Sequence, residues 1–341
     1  MQRIIGGKPG GRPKAVQPPG TVPGPAALPA VARVRVDEGS EGQRLDNFLL
    51  KLFKGVPKTH VYRVIRSGEV RVNKGRAAAD TRLALGDEVR LPPVRMADRS
   101  AEPPAPAREF PVVFEDEHLI AVDKPAGVAV HGGSGVSFGV IEQLRQARPA
   151  AKFLELVHRL DKETSGLLLL AKKRSALTAL QDQFRSRETG KTYAALVPGA
   201  WPANKKVIDV PLHKFLTAEG ERRVRTVEVD HDQARRSITL VKVAKKFTDF
   251  TLLDVTIKTG RTHQIRVHLA HEGHPIAGDA KYGDFALNKS LARGDAVPGH
   301  KFPRMFLHAR RLRFEHPATG EVIELEAPLP TECEALLKVL R

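Results

Sequence analysis

Apolar side chains at Leu45, Phe48, Leu49, Leu52 and Phe53 fall at i, i+3, i+4, i+7 and i+8, which gives one helix a continuous apolar stripe. A Gly-Val-Pro break at 55–57 ends it. Val61, Val64 and Ile65 repeat the spacing in a second helix closed by Gly68, with Lys58, Arg63 and Arg66 on its other faces. The period then changes to two in "EVRVN" (69–73), and after a Lys-Gly turn "LALGDEVRL" (83–91) continues the short strands. From Pro111 onward the pattern predicts strands at 112–114, 119–123, 153–157, 166–172, 191–197, 207–212, 221–229, 237–243, 250–258, 305–313 and 321–326. Helices fit 138–147, 175–187, 263–272 and 330–340. Strands dominate, come in runs and lack a βαβ alternation. The expected fold class is therefore α+β, a small module of a helix pair and short strands followed by a larger mixed or antiparallel sheet.

Two breaks divide this pattern. Residues 1–30 hold thirteen Gly or Pro, four basic side chains and no acid, so they cannot bury enough surface to offset ordering entropy, and a disordered basic tail is expected over 1–32. "PPVRMADRSAEPPAPAREFP" (92–111) has the composition of a linker, expected over 93–110. It separates a basic module at 41–92 from a unit at 111–341, a division that suits a chain of 341 residues.

Charge sharpens the picture. Lys plus Arg outnumber Asp plus Glu by 56 to 39, and the resulting +17 draws polyanions, so nucleic acid is the expected partner. Between Asn47 and Arg76 stand eight basic residues and one acid, Glu69, a bias beyond what solubility requires. It marks Lys58, Arg63, Arg66, Arg71, Lys74 and Arg76 as candidate RNA contacts rather than a merely solvated face. The single cysteine, Cys333, excludes an internal disulfide and reads as a small buried hydrophobe. No apolar stretch approaches the ~18 residues a membrane span needs. Met1-Gln2-Arg3 leads into Gly and Pro rather than a signal-peptide core, so the expectation is a cytoplasmic protein with no membrane partner.

The chemistry concentrates in "ELVHRLDKETSGLLLLAKK" (155–173), where His158, Arg159, Asp161, Lys162 and Glu163 stand at the mouth of an apolar run, Leu167 to Ala171. A polar loop feeding a core strand would look the same, so other motifs must decide. "HGGSG" (131–135) resembles a lipase oxyanion loop, yet the chain has no GxSxG elbow. "GGSGVSFG" lacks the GK[ST] ending of a phosphate-binding loop. His263, His268, His271 and His274 crowd one segment, but "HEGH" leaves two residues between its histidines instead of three. Polar or hydrogen-bonded histidines are therefore expected there, and no metal site.

Two family resemblances join these observations. "QRLDNFLLKLFKGVPKTHVYRVIRSGEVRVNKGR" (43–76) resembles an S4 RNA-binding domain, a module that docks on folded RNA by shape and phosphate contact. Tyr62 is the one aromatic on its expected exposed side, so extended base stacking is not expected. "DKPAGVAVH" (123–131), "HRLDKETSG" (158–166), "KTYAAL" (191–196) and "TGRTHQIRVHL" (259–269) resemble, in order and spacing, the motif set of the RluA-type pseudouridine synthases. The likeness covers about residues 40–340, and "VHGGSGVSFGVIE", "FLELVHRLD" and "AKKRSAL" point to members acting on large-subunit (23S) ribosomal RNA.

The resemblance implies that Asp161 is the catalytic carboxylate, with Tyr193 and Arg266 as its pocket companions and Arg159 filling the gap left by an extruded base. It implies isomerisation of uridine to pseudouridine with no cofactor. Asp161 could attack the sugar carbon or take a ribose proton, and both steps stay open. Without the family, Arg266 could equally be a surface arginine, and Tyr193 a core aromatic with a satisfied hydroxyl. Lys124 and Lys162 are candidate phosphate ligands that could equally be solvated. The expected partner is large-subunit ribosomal RNA, with no small-molecule substrate and a monomeric chain. The alternatives are a related synthase acting on other uridines of the same RNA, and a non-catalytic RNA-binding assembly factor.

Overall fold

The computed structural model describes residues 31–53, 55–94, 104–133, 136–218 and 221–341. The tail expected over 1–32 falls almost wholly outside them, and the linker expected over 93–110 falls outside them at 95–103. The chain divides into two compact units: residues up to Val36 with Gly42–Ala97, and Asp37–Glu41 with Asp98–Arg341.

The first unit holds β1 (Ala32–Arg35), α1 (Leu45–Leu52), α2 (Lys58–Arg66), β2 (Arg71–Val72), β3 (Gly75–Arg76) and β4 (Glu88–Leu91), with sheet order β1-β4-β2-β3. The two predicted apolar stripes supply its core, with Leu45, Phe48, Leu49, Val61, Val64 and Ile65 packing on Val70, Val89 and Leu91. β1 pairs with β4 throughout, so the unit starts before residue 41. The strand pattern at 83–91 is strand only from Glu88, because the Asp87 carboxylate accepts from the Ala84 amide at 2.8 Å and closes a turn there. Lys58, Arg63, Arg66, Arg71, Lys74 and Arg76 are all exposed.

The second unit runs β5 (Val112–Glu115), β6 (Leu119–Lys124), α3 (Val140–Ala147), β7 (Glu155–Leu156), β8 (Ser165–Ala171), α4 (Arg174–Ser186), β9 (Gly190–Pro198), β10 (Val207–Asp209), β11 (Leu212–Leu216), β12 (Arg222–Thr226), β13 (Ile238–Lys246), β14 (Phe250–Ile257), α5 (Gln264–His271), α6 (Phe285–Arg293), β15 (Leu307–Glu315), β16 (Val322–Glu326) and α7 (Thr331–Val339). Its main sheet has the order β10-β13-β14-β9-β15-β8-β6-β5, with β16 on β15 and β7 on β8. Only β15 and β8 pair in parallel among these strands, so the sheet is mixed, as the α+β reading requires. Phe110 is already buried in this core, so the linker ends before it.

β8 reads as continuous leucine because both of its faces are covered. Leu168 and Leu170 pack with Val140, Ile141 and Leu144 of α3, while Leu167 and Leu169 pack with Ala176, Leu177 and Leu180 of α4. β9 divides the same way: Ala195 and Val197 meet Ile265 and Leu269 of α5, and Ala194 and Leu196 meet Leu291 of α6 and Leu336 of α7. Tyr193 packs against both the α3 and the α5 cores, so it marks the seam between them. Cys333 is buried in the α7 core, as expected.

Three local differences have local causes. The strand predicted over 207–212 breaks at Pro211, which cannot donate to a ladder, and β11 instead pairs with β12 as a separate hairpin. α6 escaped the sequence pattern because Leu291 is its one fully buried residue, although Asp284 caps it, accepting from the amides of Ala286 and Leu287 at 2.9 and 3.0 Å. β7 is only two residues long because the chain leaves β8 there to form the loop that carries Asp161.

Candidate active site

The loop between β7 and β8 carries His158 to Thr164, and its end is set by Gly166. There φ is +107°, and a Cβ would lie 2.3 Å from the Ala309 carbonyl oxygen, so only glycine lets β15 approach as β8 begins. Next to it, the buried Ser165 hydroxyl is bonded to His308 Nδ1 at 2.9 Å and accepts from Arg304 at 2.8 Å. The loop is thereby anchored to the strand inserted beside it.

α5 delivers the arginine. The buried Gln264 accepts from the Thr259 hydroxyl at 2.7 Å and the Arg261 amide at 3.1 Å, and donates to the Ile238 carbonyl at 2.9 Å. This fixes the loop before α5, where His263 sits in the left-handed region at φ +53°. Two residues after Gln264, Arg266 donates to Asp161 Oδ2 at 3.2 Å. Its stronger, bidentate pair is with Asp279, with both bonds at 2.7 Å.

The sequence reading missed Asp279, which is wholly buried and also accepts from the amides of Lys281 and Tyr282. Burial alone would raise its carboxyl, but the Arg266 guanidinium and the two amides outweigh that and hold it below the usual range. The same ion pairs push the Arg266 guanidinium up against its own burial. Asp279 had one sequence signal, its place two residues after Ala277 in "PIAGDAKYG". Gly278 before it has φ +78°, and a Cβ there would lie 1.9 Å from the Arg304 carbonyl oxygen.

The other predicted residues divide. Tyr193 lies beside Asp161, and burial raises its phenol, with the Asp161 charge adding to the effect. Arg159 and Lys162 are exposed and line the same cleft, whose volume is about 1520 Å³. Lys124 does not belong with them. It is fully buried, and its ammonium donates to the carbonyls of Pro125, Val128 and Lys162 at 2.9, 2.8 and 3.1 Å. All three of its hydrogens are spent on backbone. Lys124 therefore fastens the "DKPAG" turn to the Asp161 loop and is not placed to bind phosphate. Burial pushes it down to about 7, against the opposing charges of Glu163 and Asp161.

The crowded histidines have partners within the fold. His268 bonds the Thr239 hydroxyl and the Val210 carbonyl, both at 2.9 Å, and His274 bonds the Pro198 carbonyl at 2.9 Å. His263 bonds the Tyr282 hydroxyl at 2.8 Å and stands 3.8 Å from Asp161 Oδ2, so it is the one histidine of the group beside that carboxylate. Among the described residues no group of three or more His, Cys, Asp or Glu could hold a metal ion. Gly132 and Gly139 are tied to α3, since Glu142 accepts from their amides at 3.0 and 2.8 Å.

Asp161 is thus presented by the loop between β7 and β8, hydrogen-bonded by the buried Arg266 and set in one cleft with the half-buried Tyr193. The chain belongs to the RNA pseudouridylate synthase family: the model described as "RNA pseudouridylate synthase" matches residues 118–271, and that of the S4 domain matches 43–89. It is 48% identical over 319 residues to ribosomal large subunit pseudouridine synthase C of Salmonella typhimurium, covering 92% of this chain and 98% of that one. The synthases C of Escherichia coli K12 and Yersinia pestis are 47% and 49% identical, also over 92% of this chain and over 98% and 97% of theirs. Among solved structures, human RNA pseudouridylate synthase domain containing 4 matches with a TM-score of 0.55 at 27% identity, over 68% of this chain and 94% of that one. The protein is thus a pseudouridine synthase, an isomerase. Among the described residues no helix is long and apolar enough to cross a membrane.

Proposed function

We infer that this enzyme converts uridine to pseudouridine in large-subunit ribosomal RNA, with Asp161 as its catalytic carboxylate and no cofactor. The observation that carries the reading is the Asp161–Arg266–Asp279 chain. Arg266 gives Asp161 one hydrogen bond and Asp279 two, so the guanidinium is neutralised mainly from behind and Asp161 keeps a reactive oxygen. A glycosidase needs a second acid because an alkoxide leaves poorly. A uracil anion spreads its charge over two carbonyls and must stay bound, so one carboxylate suffices. Asp161 either attacks the sugar carbon or takes a ribose proton. The bond from N1 to the sugar carbon breaks, the base turns, C5 bonds to that carbon and displaces Asp161 where it had attached, and the proton that C5 loses is balanced by one that N1 takes up.

The target uridine has to leave its stack to reach Asp161, which costs a few kcal/mol, and the exposed guanidinium of Arg159 is suited to fill the gap. Tyr193 lines the pocket for the extruded base. The substrate assignment rests on the names of the synthase C relatives together with the S4 match.

The test is carbodiimide primer-extension mapping of ribosomal RNA from cells lacking the protein, complemented with wild type or Asp161→Asn. Pseudouridines should vanish from the large-subunit RNA, return with wild type and stay absent with Asp161→Asn, whose turnover should fall by more than about 10³-fold. Loss at other uridines of the same RNA would mark the related specificity. Turnover by Asp161→Asn within about tenfold of wild type would remove the assignment.

A further inference from the structure

Lys191, the second residue of β9, lines the cleft two positions before Tyr193 yet is only 8% exposed. Its ammonium donates to the Thr189 hydroxyl at 3.0 Å and lies 5.0 Å from the centre of the Phe184 ring, which is itself stacked on His158 at 4.7 Å. No carboxylate of the described residues pairs with it. Burial pushes the ammonium down, and the charge of Lys258 pushes the same way. Arg266 and Lys124, the other buried cations of this region, are saturated by carboxylates and by carbonyls. A buried ammonium with one neutral hydrogen bond, an aromatic face and a like charge lacks the compensation that buried charges require. The cleft in which it lies is rimmed by exposed cations, among them Arg159, Lys162 and Arg187.

We propose that Lys191 is the seat of one backbone phosphodiester of the RNA, at the cleft wall beside Tyr193. This deepens the function proposed above and rests on RNA being what enters the cleft. The exposed rim cations hold RNA diffusely, because water and salt screen them. Lys191 is already stripped of most of its water, so an arriving phosphate meets little competing solvent and restores the missing opposite charge. The phosphate also counters the repulsion from Lys258. A phosphate fixed there sets the register of the strand relative to Asp161.

The experiment measures equilibrium binding of an unmodified large-subunit ribosomal RNA transcript across a range of potassium chloride concentrations, with wild type, Lys191→Met and Lys191→Arg. Thermal unfolding of the three proteins without RNA runs beside it. Lys191→Met should bind about tenfold more weakly at low salt, and its plot of log affinity against log salt should flatten by about one unit. Lys191→Arg keeps the charge and should keep the slope. Without RNA, Lys191→Met should melt no lower than wild type, since it removes an uncompensated buried charge.

An unchanged affinity and salt slope for Lys191→Met would overturn the proposal. So would a lowered melting temperature with normal binding, the signature of a purely structural lysine. Because binding needs no turnover, a transcript bound in this way but never isomerised by wild type would defeat the proposed function and leave the phosphate seat standing.

Discussion

The first unit carries its cations on the outside of α2, β2 and β3, whereas the second unit buries several of its own around the cleft. Lys58, Arg63, Arg66, Arg71, Lys74 and Arg76 are exposed, and their bonds are few and local, such as Arg63 to Glu69 at 3.3 Å and Arg71 to the Lys74 carbonyl at 3.2 Å. Arg266, Lys124 and Lys191 are each at least nine-tenths buried. The residue types are the same, but their energetics differ. A solvated cation contributes modestly, additively and in a salt-dependent way. A buried one is decided by its immediate partners. The outer set suits recognition of a phosphate surface, and the inner set suits holding a reacting group still.

The sharpest test of that contrast is at Asp279. Asp279→Asn leaves a buried guanidinium paired with Asp161 alone, so it should destabilise the protein by about 3 kcal/mol in thermal or denaturant unfolding. Single-turnover rates should fall as well, because Arg266 would then draw on the carboxylate of Asp161, the proposed catalytic group. The sign with pH follows from the depressed carboxyl. Its contribution is complete at neutral pH and is lost as acid protonates it below its ordinary value of 3.8, so the wild-type and Asp279→Asn stability curves should converge at low pH. Equal stability at pH 7 would place Asp279 outside the buried set.

Lys124→Met comes next. It abandons three backbone carbonyls in a buried setting and should cost about 2 kcal/mol of stability, with a further loss of turnover because one of those carbonyls belongs to the Asp161 loop. The folded lysine sits at about 7 against an ordinary 10.5, so between these values the unfolded chain binds more protons. Wild-type stability should rise across that window, and the rise should be absent in Lys124→Met. Its charged neighbours are Asp123, Asp161, Glu163 and Arg304, so the comparison is made between the two proteins at each pH.

Arg159→Ala tests a cation between the two sets, exposed yet inside the cleft. It should slow single turnover about tenfold on structured RNA and much less where the target uridine is already unstacked. Equal losses on both RNAs would leave Arg159 as a partner of the loop alone. The smallest effects belong to the outer face. Replacing Lys58, Arg66 or Lys74 singly should weaken RNA binding a few-fold and flatten the salt slope by about one unit each, roughly additively. A single one of these changes that abolished binding would end the comparison.

How much was legible depended on the range of the interaction. The two helices of the first unit were readable because each buries one stripe at helical spacing, and the leucines of β8 were readable because burial on both faces leaves no polar alternation. Asp161, Tyr193 and Arg266 were singled out by the resemblance of their motifs, and the structure sets all three along one cleft. Asp279, α6 and the role of Lys124 were not. Asp279 meets Arg266 thirteen residues away through a turn, α6 buries only one side chain fully, and a lysine's letter is the same whether solvated or sealed.

The sequence by itself determined the two-unit division, the α+β class and the basic outer face, all of which rest on composition and short-range periodicity, while the choice of Asp161, Tyr193 and Arg266 rested on the resemblance of their motifs. Tertiary structure alone decided which cations are buried and what neutralises them. It inserted β15 beside β8 and so closed the Asp161 loop onto Arg304 and His308. It also brought Asp279 against Arg266 and turned Lys124 inward. The reason is physical: a charge's contribution is set by its dielectric surroundings and its partners, and these come from segments far apart in the chain.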